Sequence, residues 1–279
     1  MRPSGSRPAP PSHSPANVAI RKLTIAKIPV KMTSDRDKVA NEILTSEQTY
    51  FQSLLILGSF YIGPVLHTSL ATGNTLVYDT FQAIGFAADA LVPYNQALLT
   101  ELEKKMRSWG EDECLGDVFQ MVSRMQSVYT KYIQAYSDMI SRVALCEKNA
   151  AFAAQMRELK KDGMVNQLDL RSYLIMPVKQ KCQRGVVLLT FSNKKVQRFP
   201  RYELLLRDLL RCTAPTHRDF GLLKEALAKV ESVNQVLLPF FVVFCFSFSS
   251  SFLSLLRFCL FLLYRRSIRR CRKLPTSKS

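Results

Sequence analysis

Residues 34–61, SDRDKVANEILTSEQTYFQSLLILGSFY, decide the fold class. Ser34-x-x-Asp37 has the form of a capping box, in which each side chain satisfies a backbone N–H at the start of a helix. Behind it Val39, Ile43, Tyr50, Leu54, Leu57 and Tyr61 recur at spacings of three, four and seven, which marks one face of a long helix. Glu42, Thr45 and Thr49 share a different, polar face. Pro64 and Gly73 are expected to close this element.

The same period continues downstream. A second helical tract starts near Thr75, is expected to bend at Gly85 and Pro93, and ends at Trp109-Gly110. A third begins near Asp117 and carries Val118, Val122, Met125, Tyr129, Tyr132, Tyr136, Met139 and Val143 at helical spacing. Residues 149–161 form a short amphipathic helix that Gly163 stops, and Thr216-x-x-Asp219 opens another with Leu223, Ala226, Leu227, Val230 and Val233. Ten glycines in 279 residues argue against an all-β chain. The expected class is all-α, an elongated multi-helix bundle.

Three segments break the pattern. Residues 1–33 open with five prolines among the first seventeen residues and read as a disordered basic arm. Residues 179–196, KQKCQRGVVLLTFSNKKV, place a β-branched, glycine-containing run between helical stretches and read as an insert that loops out. Residues 236–264 hold one charge in twenty-nine and are followed by a basic tail to 279. By length and hydropathy they are a transmembrane candidate. Seven Lys/Arg between Arg265 and Lys278 would hold that tail in the cytosol and put the helical body on the other side. Phe, Ser, Leu and Cys dominate the run, and their codons are pyrimidine-rich, as in a translated intron end. The insert and the tail are therefore expected to be gene-model additions to a domain spanning 34–235, with membrane contact through 236–273 as the other reading.

The formal charge of +17 first suggests a binder of nucleic acid or anionic membrane. Its distribution removes that reading. Residues 1–38 hold eight Lys/Arg and two Asp, 179–196 hold five Lys/Arg and 236–279 hold eight, the last two without an acid. The remaining 179 residues, 39–178 and 197–235, carry 18 bases against 20 acids. No nucleic-acid partner is expected. Seven cysteines without a C-x-x-C pair fit free thiols better than a zinc site or a disulfide framework. No phosphate loop, G-x-S-x-G or H-E-x-x-H is present, and His13, His67 and His217 lie far apart. Bond chemistry and a cofactor are not expected.

Three stretches together resemble the Dbl homology domain, the RhoGEF module that exchanges nucleotide on Rho-family GTPases. VANEILTSEQTYFQSLLIL (39–57) resembles its first motif and CLGDVFQMVSRMQSVYTKYIQAYSDMI (114–140) its middle one. SYLIMPV (172–178), joined to QRFPRYELLLRDLLRCTAPTHRDFGLLKEALAKVESVN (197–234), resembles its last. The resemblance covers 39–178 and 197–235. It implies a cytoplasmic guanine-nucleotide exchange factor that grips the switch loops of a Rho- or Rac-type GTPase and does no bond chemistry itself. The glutamate that contacts switch I in the family falls on Glu42, beside Thr45 and Thr49. Arg198, Leu204 and Arg207 fall on the helix that faces the GTPase, while Leu205, Leu206 and Leu209 fill the core. Two positions depart from the family: Met176 stands where many members carry lysine, and Glu231 where many carry asparagine. A non-catalytic, membrane-tethered helical scaffold remains the alternative.

Removing 179–196 would rejoin Val178 to Gln197 and restore the last motif without a gap. Closing a flexible loop of eighteen residues costs only ~3 kcal/mol, so the fold tolerates the insert. The exchange surface is more exposed to it. A chain lacking 179–196 and ended at Gln235 is expected to release labelled GDP from a responsive GTPase about tenfold faster than its insert-bearing twin, a difference of ~1.4 kcal/mol in barrier. Equal rates would make the insert a tolerated loop.

Overall fold

A computed structural model of the chain describes residues 33–165, 168–178 and 198–247. The expected N-terminal arm and insert and the tail beyond 247 lie outside those residues. Packing divides the chain into two units, Met1–Leu237 and Leu238–Ser279, and the elements that follow build the first as far as Leu237. In chain order they are α1 (Asp35–Ile56), a π-helical segment (Leu57–Ile62), α2 (Gly63–Thr72), α3 (Thr75–Asp89) and α4 (Val92–Arg107). A 3₁₀ turn (Val118–Met121) then leads into α5 (Val122–Cys146), α6 (Ala150–Lys160), α7 (Leu170–Leu174), α8 (Arg198–Arg211) and α9 (Asp219–Ser247). No strand occurs among the described residues, so the class is all-α as the periodicity predicts.

The capping signals act locally. Ser34 Oγ accepts from the Asp37 amide at 3.1 Å, and Asp37 returns by accepting from the amide of Ser34 at 2.8 Å. Burial alone would raise the Asp37 carboxyl, but hydrogen bonds from Trp109, Ser34 and Thr33 outweigh it and hold the group well below the usual carboxylate range. Asn74, Asn149 and Asp169 cap α3, α6 and α7 in the same way. Gly73 ends α2 in the left-handed conformation at φ +66°, where a side chain is strained.

Three boundaries differ from expectation. The first element runs through Pro64 to Thr72, because the π-helical segment just before it breaks the hydrogen-bond register and leaves proline at the start of α2, where its missing N–H costs nothing. Helix α3 passes through Gly85, whose bare Cα instead admits Ile62, 3.2 Å from where a Cβ would sit. The last helix starts at Asp219 rather than beside Thr216, and Asp219 is buried.

The buried faces of these helices meet in one core, and tyrosine hydroxyls supply its polar ties. Tyr129 donates to Asn95 Oδ1 at 3.0 Å and accepts from the Tyr50 hydroxyl at 2.9 Å. Tyr61, Tyr132 and Tyr173 donate to the carbonyls of Leu168 (2.5 Å), Leu174 (2.9 Å) and Val165 (2.8 Å), pinning the irregular chain around α7. Burial pushes Tyr61 up to about 12, helped by Tyr173 and Asp169, so it stays a neutral donor.

A second anchor joins the start of α1, the loop after α4 and the start of α9. Asp219 accepts from the amides of Leu115 (3.0 Å) and Gly116 (2.9 Å) and pairs with Arg36 at 3.0 Å. Arg36 also reaches the Glu113 carbonyl at 2.6 Å and lies over the Trp109 ring. Glu113 in turn holds Lys105 at 3.1 Å. Gly116 makes this closeness possible: a Cβ there would stand 2.5 Å from backbone atoms of Leu222 and Leu223. Gly116→Ala is therefore expected to lower stability by about 2–3 kcal/mol, read as a drop in thermal midpoint by circular dichroism. An unchanged midpoint would show that the loop can withdraw from α9 freely.

Candidate functional site

The first and last motifs stand side by side as α1 and α8. Two ion pairs join them, Glu42 to Arg201 at 3.3 Å and Glu47 to Arg198. The earlier residue of one helix meets the later residue of the other, so the helices run antiparallel. The inner pair is buried, with Glu47 fully covered and Arg198 5% exposed; the outer pair lies at the surface.

The inner pair is a polar island in the core. Glu47 Oε2 accepts from the Arg198 guanidinium and, at 2.8 Å, from the Tyr202 hydroxyl. Arg198 also donates to Ser46, to its carbonyl at 3.1 Å and its Oγ at 2.9 Å. The guanidinium sits 4.9 Å from the Tyr50 ring centre and 4.7 Å from that of Tyr202. Burial works against the charged guanidinium, yet Glu47 and Tyr202 outweigh it and Arg198 is held more firmly protonated than usual. Burial, foremost, pushes the Tyr50 and Tyr202 phenols well above their ordinary range, so both remain neutral.

This corrects the expectation for Arg198. Placed by resemblance on the partner-facing side of its helix, it points inward and is spent on Glu47 and Ser46. Glu47, in turn, escaped sequence reading. Its signal was the gap in the apolar stripe between Ile43 and Tyr50: an acid standing in a core position requires a buried cation.

The other expected residues lie at or near the surface. Glu42, Thr45 and Thr49 are exposed on one side of α1. The threonine hydroxyls fold back onto their own helix, Thr45 to the Asn41 carbonyl at 2.9 Å and Thr49 to that of Thr45 at 2.8 Å. On α8, Leu204 is 53% exposed, while Leu205, Leu206 and Leu209 are buried. Arg207 is held between Glu203 at 2.8 Å and Glu231 of α9 at 2.6 Å, and Asn234 donates to Glu203 at 2.7 Å. The hydrogen bond to Glu231 is the main reason the Arg207 guanidinium is held above its usual range. Met176 is half-buried in the turn after α7, and among the described residues no ion pair or hydrogen bond joins it to α1, α8 or α9. Among the described residues no group of three or more His, Cys, Asp or Glu could hold a metal ion.

The fold and site define an all-α bundle whose first and last motifs pair through Glu47 and Arg198, and comparison supplies the family. The model of the RhoGEF domain matches residues 39–189 and 179–237, two pieces that overlap inside the run 179–196. The chain belongs to the RhoGEF domain family. It is 29% identical over 204 residues to mouse FYVE, RhoGEF and PH domain-containing protein 6, covering 72% of this chain and 13% of that protein. It is also 29% identical over 201 residues to guanine exchange factor for Rac 30 of Dictyostelium discoideum, covering 72% of this chain and 11% of that one. The chain thus spans about an eighth of the length of these curated relatives. Among solved structures, the DH domain of FARP2 superimposes with a TM-score of 0.57 at 22% identity, over 77% of this chain and 93% of that one. The DH/PH domains of PDZ-RhoGEF, solved in complex with GTP-γ-S activated RhoA, give 0.60 at 15% identity over 74% of this chain and 53% of that one. Both likenesses are of fold.

The inner pair generates a stability test. Removing one partner strands the other charge in the core, so Arg198→Met is expected to cost about 3–5 kcal/mol in denaturant unfolding. Removing both charges, as Glu47→Leu with Arg198→Met, is expected to recover at least half of that loss. Additive losses in the double variant would show that the two side chains act independently.

Proposed function

We propose that this chain is a guanine-nucleotide exchange factor acting on a Rho-family small GTPase. The observation that carries the reading is the RhoGEF family match across 39–237 together with the contact of its first and last motifs, α1 and α8, which lie about 150 residues apart in sequence. The names of relatives support the partner class: one is an exchange factor for Rac, and a domain of similar fold was solved with RhoA.

The activity needs no bond chemistry. A protein that binds the nucleotide-free GTPase more tightly than the nucleotide-bound form must weaken nucleotide binding by the same factor. Glu42, Thr45 and Thr49 on α1 are the proposed contacts to switch I. Leu204 and Arg207 on α8, with Glu231 on α9 and Met176, are the proposed contacts to switch II and the nucleotide-proximal region. An exposed leucine between charged neighbours suits an interface that buries an apolar anchor within a polar rim. Action on a GTPase implies the cytoplasm, and membrane contact through 236–273 is the alternative to a gene-model origin of the tail.

The test is release of labelled GDP from Rho-, Rac- and Cdc42-type GTPases by the full chain. Acceleration of at least one is expected; binding without acceleration would favour the scaffold reading. Glu42→Ala is expected to slow release at least tenfold, about 1.4 kcal/mol of barrier, with helicity and melting unchanged because the position is exposed. Near-normal release by that variant would remove Glu42 from the site.

A further inference from the structure

Glu42 is the acid at the centre of the proposed surface, yet it is not a free helix glutamate. Its side chain is 56% exposed and its Oε1 lies 3.3 Å from Nη2 of Arg201, a side chain only 30% exposed. Arg201 is the one partner of the Glu42 carboxylate among the described residues, and among them Oε2 accepts no hydrogen bond. The less exposed member of the pair is the cation, which marks it as the fixed one. Arg201 stands one turn beyond Arg198, whose guanidinium is locked by Glu47, Ser46, Tyr50 and Tyr202. Its own Nε is buried with no hydrogen-bond partner among the described residues, so the inner part of the side chain is enclosed while Nη2 reaches Glu42.

The neighbouring polar groups offer no substitute. The hydroxyls of Thr45 and Thr49 are committed to carbonyls of α1 itself. Glu203 and Glu231 are engaged by Arg207. A glutamate on an open helix face samples several rotamers, and each immobilised side chain costs binding free energy when a partner seats. A cation presented from a second helix selects the rotamer beforehand and leaves one oxygen available.

We propose that Arg201 is a positioning residue for exchange: it holds the Glu42 carboxylate in the orientation that receives switch I, and it acts through Glu42 rather than by touching the GTPase. This rests on the exchange reading of the preceding subsection. It gives the outer ion pair a sign. If Arg201 were instead a latch that competes with the GTPase for Glu42, its removal would speed release.

The experiment is a double-variant cycle in the full chain, purified in mild detergent because of its apolar run, with GDP release measured on the most responsive Rho-type GTPase. Arg201→Ala is expected to slow release by about three- to tenfold, the loss set by one freed side chain. In the Glu42→Ala background the same change is expected to have no further effect, with the exchange factor raised to excess so that slow rates remain measurable. Should Arg201→Ala lower the melting temperature, Arg201→Met keeps an unbranched stem and carries the same cycle. An Arg201 variant as fast as the wild type, or faster, overturns the proposal. So does a further loss in the Glu42→Ala background, which would give Arg201 a contact of its own. An active wild type with any of these results fails this proposal alone; a wild type inactive on every Rho-type GTPase fails the exchange reading as well.

Discussion

The buried pair of Glu47 and Arg198 is the constraint on which the rest of the domain depends. Two charges in a core are costly to desolvate, and their attraction compensates only when geometry and further hydrogen bonds are good. Here Glu47 Oε2 takes a second donor from Tyr202 and the guanidinium takes both acceptors of Ser46 and two aromatic faces, while Glu47 Oε1 and Arg198 Nε have no hydrogen-bond partner among the described residues. Apolar contacts alone would tolerate a slide of one helix along the other, since leucines and isoleucines are nearly interchangeable at such a seam. A buried ion pair does not tolerate it, because a displacement of one turn would strand both charges. The pair therefore defines the register of α1 on α8, and with it the position of everything the two helices expose.

What they expose follows directly. One turn outward from the inner pair, on the same two helices, lies the pair of Glu42 and Arg201, and further along α8 the side chain of Arg207 bridges to Glu231 on α9. The anchor built on Arg36, Asp219 and the loop around Gly116 holds the far end, where α1 begins and α9 starts. Arg36 and Thr213, 3.3 Å apart, continue the antiparallel pairing of α1 with the α8 side of the fold. On the proposed reading, this stiffness is functional. A surface that must favour one arrangement of a partner's switch loops over another has to be less deformable than those loops.

Much of this was legible in the sequence. The apolar stripe from Val39 to Tyr61, the cap at Ser34 and the periodic run through α5 are local properties of the chain, and they specified helices wherever the side chains themselves carried the period. Boundaries were legible only where a local signal acts alone, as at Gly73. They were misread where a tertiary need overrode it: Pro64 is absorbed by a π-helical register change, Gly85 accommodates Ile62, and Asp219 is recruited to bind the amides of Leu115 and Gly116 instead of a cap set by Thr216.

The surface residues divide along the same line. Composition and motif order determined by themselves that the chain is all-α, that its nearly neutral body lies between basic segments, and that Glu42, Thr45 and Thr49 share an exposed face, because these follow from residue type and helical phase. Only the tertiary structure decided that Arg198 faces inward while Arg207 faces out, that Glu47 is its partner, and that Arg201 reaches Glu42. The two pairings concern helices separated by about 150 residues of chain, and helical phase says which residues share a face but not which other helix that face will meet.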